Sequence, residues 1–70
     1  MSIVFSQIRA FHAVAEHGGF TAAAKVLNVG QPTLTIQVKD LEENYGVELL
    51  IRKSRRVELT EAGAALFEIT

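Results

Sequence analysis

Two short stretches of this chain carry side chains suited to binding a polyanion. One is a run of four cations within five residues: Arg52, Lys53, Arg55 and Arg56. The other places polar side chains around one apolar residue: Thr33, Thr35, Ile36 and Lys39. Cations neutralise phosphate groups, and hydroxyl groups donate hydrogen bonds to phosphates or base edges. The two stretches indicate a binding surface for DNA if the fold brings them to one side of the molecule.

The second stretch is predicted to lie on a helix over residues 31–45. Pro32 suits the first turn of a helix, and Gly46 suits the left-handed position that follows the last turn. The apolar residues recur at intervals of four, three and four, which places them on one buried stripe: Leu34, Val38, Leu41 and Tyr45. The outer face is polar in its first two turns and becomes acidic at Asp40 and Glu43. This pattern predicts that the N-terminal end of the helix enters a major groove of DNA.

A first helix is predicted over residues 5–17, after a lead-in at residues 1–4. Its apolar residues recur at helical spacing: Phe5, Ile8, Phe11 and Ala15. Gly18 and Gly19 end it, because two successive glycines continue a helix only at a large entropic cost. His12 lies on the apolar side, and we interpret it as a partly buried structural residue rather than a metal ligand.

A second, short helix is predicted over residues 22–28. Thr21 precedes it, and its hydroxyl is placed to accept a free N–H of the first turn. The three alanines that open this helix permit close approach of a neighbour, whereas Val26 and Leu27 are expected to supply its buried contacts. A turn at 28–30 then leads into the central helix. This order is the outline of a helix-turn-helix.

The spacing of the apolar residues changes after the central helix, which predicts a β-hairpin and then a fourth helix. Residues 47–52 and 57–60 are rich in leucine and β-branched residues, and they flank the basic tip. Thr60 is placed to cap the fourth helix, with Glu61 favourably positioned in its first turn. The apolar stripe of that helix consists of Ala62, Ala65, Leu66 and Ile69. Because the stripe still continues at Thr70, we expect this helix to be the start of a longer one.

Size and composition exclude several classes of function. The 70 residues fit one domain, and 49% hydrophobic residues suffice for a packed core. There is no cysteine for a disulfide or thiolate site, and the apolar runs are too short to span a membrane. The glycine loops, paired histidines and serine-centred motifs of common enzyme families are also absent from the sequence. We therefore predict a cytoplasmic protein that is not an enzyme and needs no cofactor.

The net charge of −1 is by itself mild evidence against binding to nucleic acid, because unaided binders are usually basic. The distribution of charge argues the other way. Four of the seven lysines and arginines lie in the run 52–56, and the acids cluster just before it. The local field around the basic run, rather than the sum of charges, decides which partner approaches it.

The stretch FTAAAKVLNVGQPTLTIQVKDLEENYGVEL is followed by the basic hairpin and then by LTEAG. Its specific features are F-T-x-A-A, Q-P, L-E-x-x-Y-G and L-T-x-A-G at these intervals. This order resembles the amino-terminal DNA-binding domain of LysR-type bacterial transcriptional regulators, over essentially the whole chain. The resemblance implies a mainly α, winged helix-turn-helix fold with a three-helix core, a two-stranded hairpin wing and the start of a linker helix. It implies a DNA-binding domain at 1–59 and the start of the linker or dimerisation helix at 60–70.

The resemblance also implies partners and roles for individual residues. The residues expected at the major groove of double-stranded DNA are Gln31, Pro32, Thr33, Thr35 and Ile36. Arg55 is expected at the minor groove or its phosphates. The further candidates for DNA contacts are Thr21, Lys39, Lys53 and Arg56. Members of the family act as homodimers or tetramers joined partly through the helix that begins near Thr60. A small-molecule inducer acts only through a further C-terminal domain.

Two departures from the family pattern bear on base preference. Members usually have serine where this chain has Gly30, and often arginine where it has Ile36. Ile36 either packs against a thymine methyl group or is an ordinary exposed apolar residue. The basic tip either contacts DNA or is a solubilising turn, and Arg52 either contributes to it or pairs with Glu58 across the hairpin.

Two classes of function remain open at this point. The first is sequence-specific binding of duplex DNA, and the second is a winged-helix module that binds protein and has lost DNA binding. Each phosphate neutralised lowers the logarithm of affinity by about 0.9 per tenfold rise in salt. A steep dependence on salt therefore favours DNA binding, and a flat one favours the protein-interaction module.

Overall fold

The computed structural model describes residues 5–53 and 56–70, which form four helices and one two-stranded sheet. The helices are α1 (Phe5–His17), α2 (Phe20–Leu27), α3 (Gln31–Tyr45) and α4 (Glu61–Ile69). The strands are β1 (Leu50–Arg52) and β2 (Val57–Leu59). They pair antiparallel, with Leu50 opposite Leu59 and Arg52 opposite Val57, and together form the wing. This is the predicted winged helix-turn-helix. The lead-in predicted at residues 1–4 lies outside the described residues.

The core lies where α1 packs against α2 and α3. Its largest fully buried side chains are Phe11, Val14, Leu34, Leu41 and Leu49. Three of the four residues predicted for the buried stripe of α3 are buried: Leu34, Val38 and Leu41. The prediction for Tyr45 is wrong, because 44% of this residue is exposed. Tyr45 lines a groove beside α4.

The helix α1 has the predicted bounds, and three of the four residues predicted for its apolar stripe meet the core: Phe11 is buried, and Ile8 and Ala15 are half-buried against it. The prediction for Phe5 is wrong. Phe5 is 76% exposed, while the buried residues are Gln7, Ala10, Phe11, Ala13 and Val14. At about 100° per residue, Phe5 lies about 120° from Phe11 around the helix, so the two rings cannot share one buried stripe. The Gln7 side chain is buried with its oxygen accepting a hydrogen bond from Asn44 of α3 at 3.3 Å.

The helix α2 begins two residues earlier than predicted, at Phe20. Gly19 occupies the N-cap position, so Thr21 lies inside the first turn and does not cap the helix. Phe20 is buried, and the residues that share its face are Ala23, Ala24 and Leu27. Spacings of three, one and three define this stripe, and Val26 falls outside it with 58% exposure. The prediction that Val26 is buried is therefore wrong, whereas Leu27 is half-buried against the core.

The helix α4 begins as predicted. The Thr60 hydroxyl accepts a hydrogen bond from the N–H of Gly63 at 3.0 Å and donates one to the Glu48 carbonyl at 2.6 Å. Gly63 packs directly on the backbone of Leu49, because a β-carbon at this position would overlap the Leu49 carbonyl oxygen. The N-terminus of α4 is thereby fixed to the segment that leads into the wing.

His12 connects α1 to the far end of α4. Its ring stacks on Phe67 with 4.9 Å between centroids, and its Nδ1 lies 2.7 Å from the Thr70 hydroxyl oxygen. That hydroxyl donates to the Phe67 carbonyl, so Nδ1–H of His12 is the donor to Thr70. The interpretation of His12 as a half-buried structural residue agrees with these contacts.

Within residues 5–53 and 56–70, no helix is long and apolar enough to cross a membrane.

Candidate nucleic-acid interface

The first half of α3 presents its predicted binding face to solvent. The exposed residues are Gln31, Pro32, Thr33, Ile36 and Lys39, and Thr35 beside them is half-buried. Leu34 and Val38 point to the opposite side and are almost fully buried. The tight turn from Asn28 to Gly30 ends α2 and leaves the N-terminus of α3 free to approach another molecule.

One hydroxyl on this face is already used within the helix. The Thr35 hydroxyl donates to the Gln31 carbonyl at 3.2 Å, one turn back along α3. Its proton is therefore committed, and Thr35 offers a DNA group only the remaining lone pairs of its oxygen. Thr33 is exposed. The sequence predicts that its hydroxyl contacts phosphates or base edges.

The wing is held against the turn between α1 and α2. The N–H of Val57 donates to the Gly18 carbonyl at 3.0 Å, so β2 begins beside the N-terminus of α2. The N–H of Lys53 donates to the Arg56 carbonyl at 2.7 Å and brings the two sides of the tip together. Ser54 and Arg55 lie outside the described residues, so the predicted role of Arg55 stays a prediction.

Arg52 is positioned by an aromatic ring. Its guanidinium carbon lies 4.4 Å from the centroid of Phe20, the buried residue that opens α2. Glu58 approaches two cations of the described part of the wing, with 3.9 Å to Lys53 and 3.7 Å to Arg56. The alternative in which Arg52 pairs with Glu58 is therefore not the observed arrangement. A guanidinium over an aromatic face is attracted to the ring and is held in one place.

The wing, α2 and α3 meet at an open cleft lined by three cations. Its lining residues are Gly19, Phe20, Thr21, Gln31, Arg52, Lys53, Arg56 and Val57. Thr21 and Gln31 also line an adjoining depression formed by α2 and the turn before α3. These two residues therefore connect the basic wing to the exposed N-terminal end of α3 along one continuous surface.

Glu42 is a positioning residue that sequence reasoning missed. One of its carboxylate oxygens accepts hydrogen bonds from the backbone N–H groups of Leu49 at 2.8 Å and Leu50 at 3.1 Å. This double contact fixes the start of β1 relative to α3, and hence the wing relative to the exposed face. The sequence contains a signal for this contact, because Glu42 lies one turn after Val38 and flanks the buried stripe of α3.

We expect Glu42→Ala to destabilise the fold by about 2–4 kcal/mol, because two buried N–H groups lose their only charged acceptor. Glu42→Gln keeps an oxygen of the same reach, so it is the matched control, and we expect it to cost about half as much. Urea unfolding followed by circular dichroism measures both. Equal stability of Glu42→Ala and the unmodified chain would show that the carboxylate does not hold the wing.

A helix pair joined by a tight turn, with a hairpin docked beside it, defines a winged helix-turn-helix domain. The family model described as bacterial regulatory helix-turn-helix protein, lysR family, matches residues 5–64. The chain belongs to this family.

Among the relatives, a probable cat1 operon transcriptional activator of Acinetobacter lwoffii is 55% identical over 62 residues, which make up 89% of this chain and 20% of that protein. The regulator BudR of Klebsiella aerogenes is 52% identical over 61 residues, or 87% of this chain and 43% of that protein. The chain thus spans a fifth to less than half of these relatives. They are transcriptional regulators and not enzymes, in agreement with the prediction.

Solved structures give the same result for the fold. The DNA complex of the CbnR DNA-binding domain aligns with a TM-score of 0.91 at 50% identity, covering 94% of this chain and 76% of that one. The oxidized form of Corynebacterium glutamicum OxyR aligns with a TM-score of 0.94 at 35% identity, covering 99% of this chain and 22% of that one. The wing and the four helices are therefore the architecture of LysR-family DNA-binding domains.

Proposed function

We propose that this chain binds double-stranded DNA sequence-specifically, as the DNA-binding domain of a cytoplasmic LysR-type transcriptional regulator. The observation that carries the proposal is the meeting of three wing cations with Thr21 and Gln31 at one cleft beside the exposed end of α3. A duplex presents its phosphates on either side of a groove, so a helix that enters the groove needs cations next to it. The DNA complex of the similar CbnR domain supports this use of the fold.

In this proposal, α3 enters the major groove by its N-terminal half. Asp40 and Glu43 are exposed on the second half of the helix, and their charges repel phosphates from that end. The proposed contacts to bases and nearby phosphates come from Gln31, Pro32, Thr33, Thr35, Ile36 and Lys39. The proposed contacts to the backbone or minor groove come from Thr21, Lys53, Arg55 and Arg56.

The proposal also assigns the regulator's assembly to α4. Residues 1–59 form the DNA-binding unit and residues from 60 onward begin the helix that joins two copies. An apolar groove beside α4 supports this role, with lining residues Tyr45, Val47, Leu49, Ala62, Ala65, Leu66 and Ile69. Two copies then place their α3 helices in successive major grooves, about 34 Å apart. A small-molecule inducer acts only through a further domain of the regulator.

Selection of bound sequences from a random duplex pool, followed by binding measurements at several salt concentrations, tests the proposal. We expect one recurring half-site and a loss of affinity with salt that corresponds to several neutralised phosphates. Recovery of no common sequence would contradict specific binding. Binding that is flat between low and moderate salt would favour the protein-interaction module instead.

A further inference from the structure

Ile36 is the large apolar side chain exposed on the first half of α3. It is 60% exposed, although an isoleucine gains nothing from contact with water. The buried residues of α3, Leu34, Val38 and Leu41, lie on the other side of the helix, so Ile36 has no place in the core. Its neighbours on the outer face are Thr33 and Lys39, both exposed.

Two side chains beside Ile36 have no hydrogen-bond donor available for DNA. Pro32 has no polar side-chain atom, and the Thr35 hydroxyl donates to the Gln31 carbonyl of its own helix. Reading guanine in the major groove takes a bidentate donor such as arginine, and reading adenine takes an amide that both donates and accepts. Ile36 supplies neither, but it suits the one apolar group in the groove, the methyl on C5 of a pyrimidine.

We infer that Ile36 is a specificity residue that reads the C5 methyl group of a pyrimidine. The inference rests on the proposed DNA binding and deepens it. Thymine carries this methyl group, and 5-methylcytosine presents the same group at the same place in the groove. At the position that Ile36 contacts, methylation of a cytosine therefore supplies the same apolar contact that thymine makes.

The test compares duplexes that differ by single methyl groups. The probe is a duplex with the half-site returned by selection, prepared with deoxyuridine in place of one thymine at a time. A second series replaces the same pyrimidine by cytosine or by 5-methylcytosine. For the unmodified chain, we expect loss of the methyl at one position to weaken binding about fourfold, which is the value of one buried methyl group. We expect the duplex with 5-methylcytosine to bind more tightly than the duplex with unmethylated cytosine at the same position, by a similar factor.

Two variants identify the residue responsible. Ile36→Ala is expected to bind thymine and deoxyuridine duplexes equally well, because its side chain no longer reaches the methyl group. Val26→Ala is the matched control, since it removes methyl groups from an exposed apolar side chain of α2 and should keep the fourfold ratio. The ratio between two duplexes, rather than absolute affinity, is the readout, so a change in dimerisation leaves it unaffected.

The inference is overturned if no deoxyuridine position weakens binding, or if Ile36→Ala keeps the same ratio as the unmodified chain. In both cases, a steep dependence of affinity on salt would still support the proposed DNA binding. If no duplex is bound at any salt concentration, the proposed function fails, and the reading by Ile36 fails with it.

Discussion

Gly63→Ala is expected to lower the free energy of unfolding by about 2–3 kcal/mol, the cost of overpacking a site that cannot relax. The added methyl would overlap the Leu49 carbonyl oxygen and lie 2.9 Å from the carbonyl carbon, and both atoms belong to the backbone. Alanine favours a helix over glycine by about 1 kcal/mol, but this gain is smaller than the expected clash. For a domain of this size, such a loss lowers the melting temperature by roughly 10–20 °C.

Gly30→Ala is the matched control for this substitution. A β-carbon there would meet only the Pro32 side chain at 3.7 Å, which is an ordinary contact. We expect it to change stability by less than about 1 kcal/mol, since it alters only the N-cap preference. Thermal unfolding followed by circular dichroism compares the two. If Gly63→Ala melts at the same temperature as Gly30→Ala, then α4 is not docked closely on the segment before the wing.

The double variant Lys53→Ala, Arg56→Ala is expected to lose most of its DNA affinity. Removing two cations that neutralise phosphates lowers the slope of log affinity against log salt by about 1.8, equivalent to about 60-fold in affinity near 0.1 M salt. The Lys53 side chain is 48% exposed and that of Arg56 is 72% exposed, so the fold is expected to keep its stability. Titration of a fluorescent half-site duplex at several salt concentrations measures both quantities.

Two further variants make this result specific to the wing. Arg9→Ala removes an exposed cation from α1, outside the clefts that join the wing to α3, and is expected to leave the slope unchanged. Glu58→Gln removes the anion that approaches both Lys53 and Arg56, and is expected to raise the affinity. A wing variant that binds like Arg9→Ala would show that the tip is a solubilising turn.

Local signals predicted most of the fold. Pro32 and Gly46 bound α3 as expected, and Thr60 caps α4 through the predicted contact. The hairpin was predicted from a change in the spacing of the apolar residues. Its strands are shorter than the predicted segments 47–52 and 57–60. These features depend on residues close in the chain, which is why sequence alone was sufficient for them.

The errors arise where tertiary packing outweighs local pattern. Thr21 has the chemistry of a cap, but burial of Phe20 extends α2 toward Gly19 and leaves Thr21 within the first turn. The same ring also holds Arg52, a contact between residues far apart in the chain that no local spacing encodes. The carboxylate of Glu42 on the start of β1 is likewise a product of folding.

A titration of the isotope-labelled chain with the selected half-site duplex, followed by amide chemical shifts, tests the central claim most directly. That claim is that the first half of α3 and the wing form one DNA-binding surface. We expect the largest shifts at residues 19–21 and 31–39, and at the wing residues Arg52, Lys53, Arg56 and Val57. Shifts concentrated along the α4 groove near Tyr45 and Leu66, with residues 31–39 unchanged, would contradict it.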